Sequence, residues 1–255
     1  MRLPADRSRW LVPGQARPGA PRLYCFPHGG GSAAEYARWG AALPGFEVHA
    51  VHLPGRGARP AEPPLTDLDS LVAALVRAVP FGVTGPYAFF GHSLGALVAH
   101  EVSRVLWEAG EAPPGHVVVS AFPAPSRVRV TAPVHDLPTQ ELVTEVARRH
   151  GGLPPEVLAS PALRALTANA LRADYRVLET YAWRPGPPVP VPLTVFAGRD
   201  DGISEAELRA WGAHTTEPVD VRLFPGGHFY LREDTPAVQR ALAGALTRPR
   251  RAVGV

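Results

Sequence analysis

The chain has 255 residues, 45% of them hydrophobic, and a formal net charge of +3 at pH 7. This length allows one large α/β domain or two small ones, and no apolar run is long enough to span a membrane. The single cysteine, Cys25, excludes an intramolecular disulfide, so we expect a cytoplasmic protein without a membrane partner.

Arginine carries all the positive side-chain charge, because the sequence contains no lysine. The densest cluster, Arg248, Arg250 and Arg251, lies in a proline-interrupted C-terminal segment without interleaved aromatic residues. This pattern predicts a solvated tail and no nucleic-acid partner. No apolar segment follows the charged first residues, which predicts no signal peptide.

Strand-like and helix-like segments alternate through the first half of the chain. The hydrophobic patterns predict strands at 22–26, 46–53, 87–90 and 117–119, and helices at 33–43, 67–79 and from 96 onward. Such alternation implies an α/β fold with a mostly parallel central sheet and helices on both faces.

The alternation stops near residue 121. Residues 122–190 contain helical patterns at 139–150 and 161–181, separated by a Gly- and Pro-rich stretch, and no convincing strand. We interpret them as a helical lid inserted into a single domain of residues 1–255, with the core at about 20–121 and 191–248. A separate small helical domain is the alternative. Gly151, Gly152 and the proline-rich residues 185–192 would allow the lid to move.

The sheet pattern resumes at 193–197 and continues with a strand at 219–224. A helix is expected around 205–212 and another at the C-terminal end. Thr235 is the expected N-cap of this last helix, with Pro236 at its first position.

Residues 91–95 read Gly-His-Ser-Leu-Gly between a strand pattern and a helix pattern. A serine on such a sharp turn exposes its hydroxyl, and the flanking glycines avoid crowding. We therefore predict that Ser93 is a catalytic nucleophile. A structural turn in an inactive protein of the same fold is the alternative.

A serine nucleophile needs a base. In α/β proteins with a serine on such a strand-to-helix turn, the order of these residues along the chain is Ser, Asp or Glu, then His. His228, in a glycine-rich loop after the last strand, is the predicted base. We expect the other late histidine, His214, to lie on the surface and His92 to have a supporting role. No metal ion or cofactor is expected.

The carboxylate that orients the base should follow the strand at 193–197. Asp200 and Asp201 both stand there, and the usual placement three residues after a glycine favours Asp201. Asp200 would then cap the turn. For the oxyanion hole we predict the backbone N–H groups of Leu94 and Gly29, the latter in a loop of three glycines.

Several segments together resemble the type II (editing) thioesterases of polyketide and nonribosomal peptide assembly lines, which have the α/β-hydrolase fold. These are Cys-Phe-Pro-His-Gly-Gly-Gly-Ser (25–32), His-Leu-Pro-Gly-Arg-Gly-Ala-Arg (52–59), Leu-Arg-Ala-Asp-Tyr-Arg (171–176) and Gly-Gly-His-Phe-Tyr-Leu (226–231). The similarity covers about residues 22–247. Two positions depart from the family pattern, which often has Ala at Gly29 and Met at Leu94.

The resemblance implies hydrolysis of acyl groups from the phosphopantetheine thiol of an acyl or peptidyl carrier protein, which would be the partner. No cofactor of the enzyme itself is implied, because the partner carries the phosphopantetheine. Arg172 and Asp174 could line the acyl chamber, face solvent or pack the lid.

Three other functions fit parts of the pattern. A carboxylesterase acting on small oxygen esters would need the same three side chains. A product-releasing thioesterase is normally the last unit of a megasynthase, whereas Met1 follows no carrier segment here, so we expect a stand-alone enzyme. A non-catalytic binding protein of the same fold would have no need of Ser93, Asp201 and His228 together.

Overall fold

A computed structural model describes residues 9–83 and 85–247 of the chain. The cluster of Arg248, Arg250 and Arg251 lies outside these residues. No helix in the described ranges is long and apolar enough to cross a membrane.

Seven strands form one sheet in the order β1-β3-β2-β4-β5-β6-β7. All neighbouring pairs are parallel except β1 with β3. The strands are β1 (Leu11–Pro13), β2 (Arg22–Phe26), β3 (Glu47–Val51), β4 (Tyr87–His92), β5 (Val117–Ser120), β6 (Leu193–Gly198) and β7 (Val219–Phe224). This is the mostly parallel α/β architecture expected from the alternation of strand and helix patterns.

The helices in the described residues are α1 (Ala33–Ala37), α2 (Leu68–Ala78), α3 (Leu94–Glu108), α4 (Thr139–His150), α5 (Pro155–Ala159), α6 (Pro161–Thr180), α7 (Glu205–Arg209), α8 (Tyr230–Glu233) and α9 (Thr235–Leu246). Short 3₁₀ turns follow α1 and α7, at Arg38–Ala41 and Ala210–His214. The helices predicted at 33–43 and 205–212 are therefore each half α and half 3₁₀.

The central strands are buried throughout because both faces of the sheet are covered. Every residue of β4, β5 and β6 is buried. One hydrophobic cluster packs α2 and α3 on one face, and a second packs α1 and α9 on the other. The parallel strands of this two-sided sheet end on a common edge, where α/β proteins place their sites.

Helices α4, α5 and α6 form the segment predicted as a lid. Side chains of α4 and α6 make a third hydrophobic cluster that includes Leu142, Val146, Leu171 and Tyr175. The C-terminal end of α6 also joins the main core, through Val177. The segment thus has a small core of its own and one end anchored in the sheet domain.

Two local predictions were wrong. Asp234, not Thr235, caps α9, because its carboxylate accepts the N–H of Ala237, while the Thr235 hydroxyl donates to the carbonyl of Leu231. His214 is buried rather than on the surface, since Trp211 and Trp183 pack against its ring and Ser126 hydrogen-bonds its Nε2. Cys25 is buried in β2.

Candidate active site

The turn between β4 and α3 holds Ser93 in a backbone conformation that is rare for residues with a side chain. Its φ is 54° and its ψ is −120°. Crowding explains both flanking glycines: a Cβ on Gly91 would lie 2.1 Å from the carbonyl oxygen of Gly95, and one on Gly95 would lie 2.0 Å from that of Phe26. The strand and helix can meet this closely only with glycine at both positions.

Ser93 is the N-cap residue of α3, yet its side chain makes no capping hydrogen bond. Its backbone N–H donates to the carbonyl of Ser120 on the neighbouring strand, which fixes the turn against the sheet. The hydroxyl is therefore not used in holding the helix end. Ser93 lines a cavity of about 260 Å³ beneath the lid.

His228 and Asp201 come from adjacent loops after β7 and β6 and form a close pair. The His228 Nδ1 and Asp201 Oδ1 atoms are 2.8 Å apart, and the two side chains are only 9% and 4% exposed. His228 lines the same cavity as Ser93. The structure thus places His228 in one cavity with Ser93 and pairs it with Asp201, the three side chains expected from the sequence.

The choice between the two aspartates follows from how the loops pack. A Cβ on Gly198 would lie 2.3 Å and 2.4 Å from the carbonyl oxygens of Gly227 and Gly226, so the two loops touch through their backbones. Asp200 donates its N–H to the carbonyl of Gly226, and its side chain is exposed. The next residue, Asp201, then meets the imidazole.

The two predicted oxyanion donors come from different loops, one after β4 and one after β2. Leu94 is the first residue of α3, where a helix has no internal acceptor for the backbone N–H. Gly29 follows β2 and lines the cavity. A Cβ at Gly29 would stand 3.6 Å from Asp174 Cβ, which is ordinary van der Waals contact, so the alanine common in similar sequences would fit here.

The side chain of Asp174 joins three motifs that the sequence shows far apart. Its carboxylate accepts two hydrogen bonds from the Arg56 guanidinium, at 2.5 and 2.6 Å, and one from the Gly30 N–H, at 2.6 Å. Arg56 and Asp174 are 8% and 3% exposed. Asp174 therefore packs the lid onto the glycine loop, and Arg172 also packs the lid by donating to the carbonyls of His135 and Leu137.

Three further histidines surround His228. The His92 ring is fully buried, and its Nδ1 bonds the Ser120 hydroxyl at 2.8 Å, which agrees with the supporting role expected for it. Burial lowers the pKa of His28 to about 3, with Arg232 opposing protonation and Glu35 favouring it. His28 is therefore neutral near pH 7.

His150, the last residue of α4, brings a lid side chain to the centre of the site. Its ring centroid lies 4.5 Å from that of His228. Burial and the neighbouring His228 lower the pKa of His150 to about 4. Sequence reasoning missed His28 and His150; His28 stood in a recognised motif, whereas nothing in the local pattern of 148–152 marked His150.

Arg232, on α8, connects the site to the loop that follows α4. Its guanidinium donates to the carbonyl of Gly152 at 2.7 Å and to both carboxylate oxygens of Glu35, and it lies 4.3 Å above the Phe229 ring. Its Nη2 is also 3.1 Å from His28 Nε2. One side chain therefore contacts the glycine loop, the histidine loop and the lid.

The lid supplies the apolar wall of the cavity. The lining side chains from this segment include Val146, Leu153, Val157, Leu171, Tyr175 and Leu178. The wall opposite carries Ser93, His228 and the glycine loop. An apolar chamber next to a polar reacting group suits an acyl chain attached to a carbonyl carbon.

Comparison with known proteins places the chain in a family. A family profile described as Thioesterase domain matches residues 21–246. Thioesterase PikA5 of Streptomyces venezuelae is 38% identical over 238 residues, which cover 91% of this chain and 83% of PikA5. The gramicidin S biosynthesis protein GrsT of Aneurinibacillus migulanus is 33% identical over 229 residues, or 89% of each chain.

A solved structure shows the same relationship in three dimensions. The type II thioesterase BorB from the borrelidin biosynthetic cluster is 41% identical, with 93% of this chain and 97% of BorB covered and a TM-score of 0.85. The chain belongs to the thioesterase family and is similar throughout to the type II thioesterases of polyketide and nonribosomal peptide biosynthesis.

Proposed function

We propose that the protein is a stand-alone type II thioesterase that hydrolyses aberrant or stalled acyl groups from the phosphopantetheine thiol of an acyl or peptidyl carrier protein. The observation that carries the proposal is the position of Ser93. It stands at a strained turn with a hydroxyl that makes no capping hydrogen bond, and it shares one cavity with His228, the partner of Asp201.

The reaction begins at the Ser93 hydroxyl, which attacks the thioester carbonyl carbon while His228 accepts its proton. Asp201 holds the imidazole in the required tautomer and stabilises its protonated form. The backbone N–H groups of Leu94 and Gly29 receive the developing oxyanion, and the start of α3 adds its dipole to theirs.

The thiol then leaves with the proton that His228 took up, and Ser93 remains acylated. A thiol is a better leaving group than an alcohol because its pKa is lower, about 8.5. Water activated by His228 attacks the acyl-serine ester and releases the free acid. The cycle consumes one water per thioester and uses no cofactor of the enzyme.

The carrier protein is the partner that this chemistry requires. PikA5 is a thioesterase, GrsT is a gramicidin S biosynthesis protein, and BorB is a type II thioesterase from the borrelidin biosynthetic cluster. Enzymes of such clusters work on acyl groups tethered to carriers, and we extend this partner to the present chain. A cytoplasmic location belongs to the same proposal, since the lone cysteine suits a reducing compartment.

Intact-protein mass spectrometry of an acetyl- or propionyl-loaded carrier protein tests the proposal. We expect loss of the acyl mass with the wild type, and a rate lower by at least about 10⁴-fold with Ser93→Ala. A wild-type protein that leaves the carrier loaded but cleaves p-nitrophenyl esters in a Ser93-dependent reaction would instead be a carboxylesterase.

A further inference from the structure

His150, Asp201 and His228 form a cluster whose possible metal-ligating atoms all lie within 4.8 Å of one another. The three side chains come from the end of α4, the loop after β6 and the loop after β7. The cluster therefore spans the boundary between the lid and the sheet domain. The proposed reaction uses Asp201 and His228 and leaves His150 without a role.

The residue types suit a transition-metal ion that is intermediate between hard and soft in its choice of ligands. Zn²⁺ takes histidine nitrogens and carboxylate oxygens at about 2.0–2.2 Å in tetrahedral sites, so neighbouring ligand atoms lie roughly 3.3 Å apart. His228 Nδ1 and Asp201 Oδ1 are already 2.8 Å apart, and the two imidazole centroids are 4.5 Å apart. Small side-chain shifts would bring all three to one ion.

Two further observations make those shifts feasible. The second carboxylate oxygen of Asp201 is buried and has no hydrogen-bond partner among residues 9–83 and 85–247, so it has lone pairs to offer. His150 ends its helix and is followed by Gly151 at positive φ, where an added Cβ would meet no atom within 4 Å, so no side chain crowds the backbone directly after His150.

We propose that His150, Asp201 and His228 bind a divalent transition-metal ion such as Zn²⁺, and that the bound ion fastens the lid to the sheet domain and inhibits hydrolysis. The ion acts as a reversible inhibitor and not as a cofactor. Metal binding itself needs only these three side chains; inhibition rests on the function proposed above.

Inhibition follows from the nitrogen of His228 that faces Asp201. An ion shared with Asp201 binds Nδ1, where it displaces the hydrogen bond to Asp201. The proton of the neutral imidazole then stands on Nε2, which can no longer accept the proton of Ser93. In addition, His150 can contribute only while α4 lies over the site, so the bound ion favours the closed lid.

Binding is tested without any catalytic step, on the Ser93→Ala protein. Co²⁺ serves as a spectroscopic probe, with its visible absorption followed during titration and Zn²⁺ added as competitor. We expect one saturable site per chain, and an affinity lower by roughly 10-fold or more in Ser93→Ala/His150→Gln, since loss of even an outer partner of a metal site costs about 10–100-fold.

His116→Gln in the same Ser93→Ala background is the matched control. His116 bonds Thr194 Oγ1 at 2.9 Å at the opposite ends of the strands, so this variant also loses one histidine but should keep the wild-type metal affinity. Equal affinity in the His150 and control variants, or no saturable binding, would overturn the site.

The activity arm compares each otherwise unaltered protein with and without Zn²⁺, using the acyl-carrier mass assay. Zn²⁺ should inhibit the wild type, EDTA should restore the rate, and the fractional inhibition should fall in His150→Gln. Inhibition that does not depend on His150 would reject the lid ligand. Metal binding to a protein that never deacylates the carrier would leave the site intact and reject the proposed function instead.

Discussion

The sheet domain and the lid hold their parts of the site by different means. Ser93 is fixed by backbone geometry, because glycines on both sides allow β4 and α3 to approach within contact distance. The lid meets the same site through separate polar links, chiefly Arg56–Asp174 and Arg232–Gly152, beside its own small hydrophobic cluster. Ser93, His228 and Asp201 therefore stand in turns and loops at the strand ends, and the apolar wall of the cavity belongs to the lid.

This difference has a functional consequence. In the function proposed above, proton transfer from Ser93 to His228 requires precise positioning, which the strand ends would supply. In that function a tethered substrate must also enter and leave, and the part of the lid away from its anchor at Val177 could open locally at modest cost. Each of the following substitutions separates the two kinds of attachment.

The largest effect is expected from Asp201→Asn. The amide keeps the size of the side chain but offers an N–H as well as an oxygen, so it no longer enforces the tautomer of His228. We expect kcat for carrier deacylation to fall by about 10³–10⁴-fold with the fold intact. Asp200→Asn is the control, because its side chain is exposed, and it should change the rate by no more than about threefold. Equal losses in the two variants would contradict the assignment of Asp201.

Gly95→Ala tests the backbone contact in the sheet domain. The new Cβ would lie 2.0 Å from the Phe26 carbonyl oxygen, so the variant should lose about 4 kcal/mol or more in the free energy of unfolding, or fail to fold. Gly29→Ala places a Cβ at van der Waals distance from Asp174 and Tyr175 and should cost less than about 1 kcal/mol. Urea unfolding measures both, and a Gly95→Ala protein of wild-type stability would be inconsistent with so close a contact.

Asp174→Ala tests the principal polar attachment of the lid. It leaves the buried Arg56 guanidinium and the Gly30 N–H without their acceptor, and removing one member of a buried ion pair typically costs about 3–5 kcal/mol. Relative to the wild type, we expect hydrogen exchange to become faster in α4 and α6 and to change less in β4 and β5. The double variant Arg56→Leu/Asp174→Leu removes the unpaired charge and should recover part of the loss. A double variant less stable than Asp174→Ala would argue that the charge itself is not the cause.

The same contrast explains what could be predicted from the sequence. The strands from β2 onward, the turn at Ser93 and the His228 loop are encoded by residues close together, since buried strands, glycines and turn residues act locally. The short edge strand β1, Leu11–Pro13, was not predicted. The partners of Asp174 lie 118 and 144 residues away, so no local pattern could decide whether it lined the chamber or packed the lid. The burial of His214 was missed for a related reason: Trp183, which packs on it, follows the lid helix α6.

The smallest effect is expected from Arg232, the second polar attachment of the lid. Arg232→Ala removes the donor to the Gly152 carbonyl and to Glu35 and leaves the reacting groups in place. We expect hydrogen exchange to rise locally at residues 151–154, and the deacylation rate to change by about 10-fold or less, because a partly exposed link of this kind contributes about 1 kcal/mol. Arg232→Lys can restore one of these hydrogen bonds but not the forked contact with Glu35, so it should fall between wild type and Arg232→Ala. Unaltered exchange at 151–154 in Arg232→Ala would show that the Gly152 segment is held by its packing against Phe229 alone.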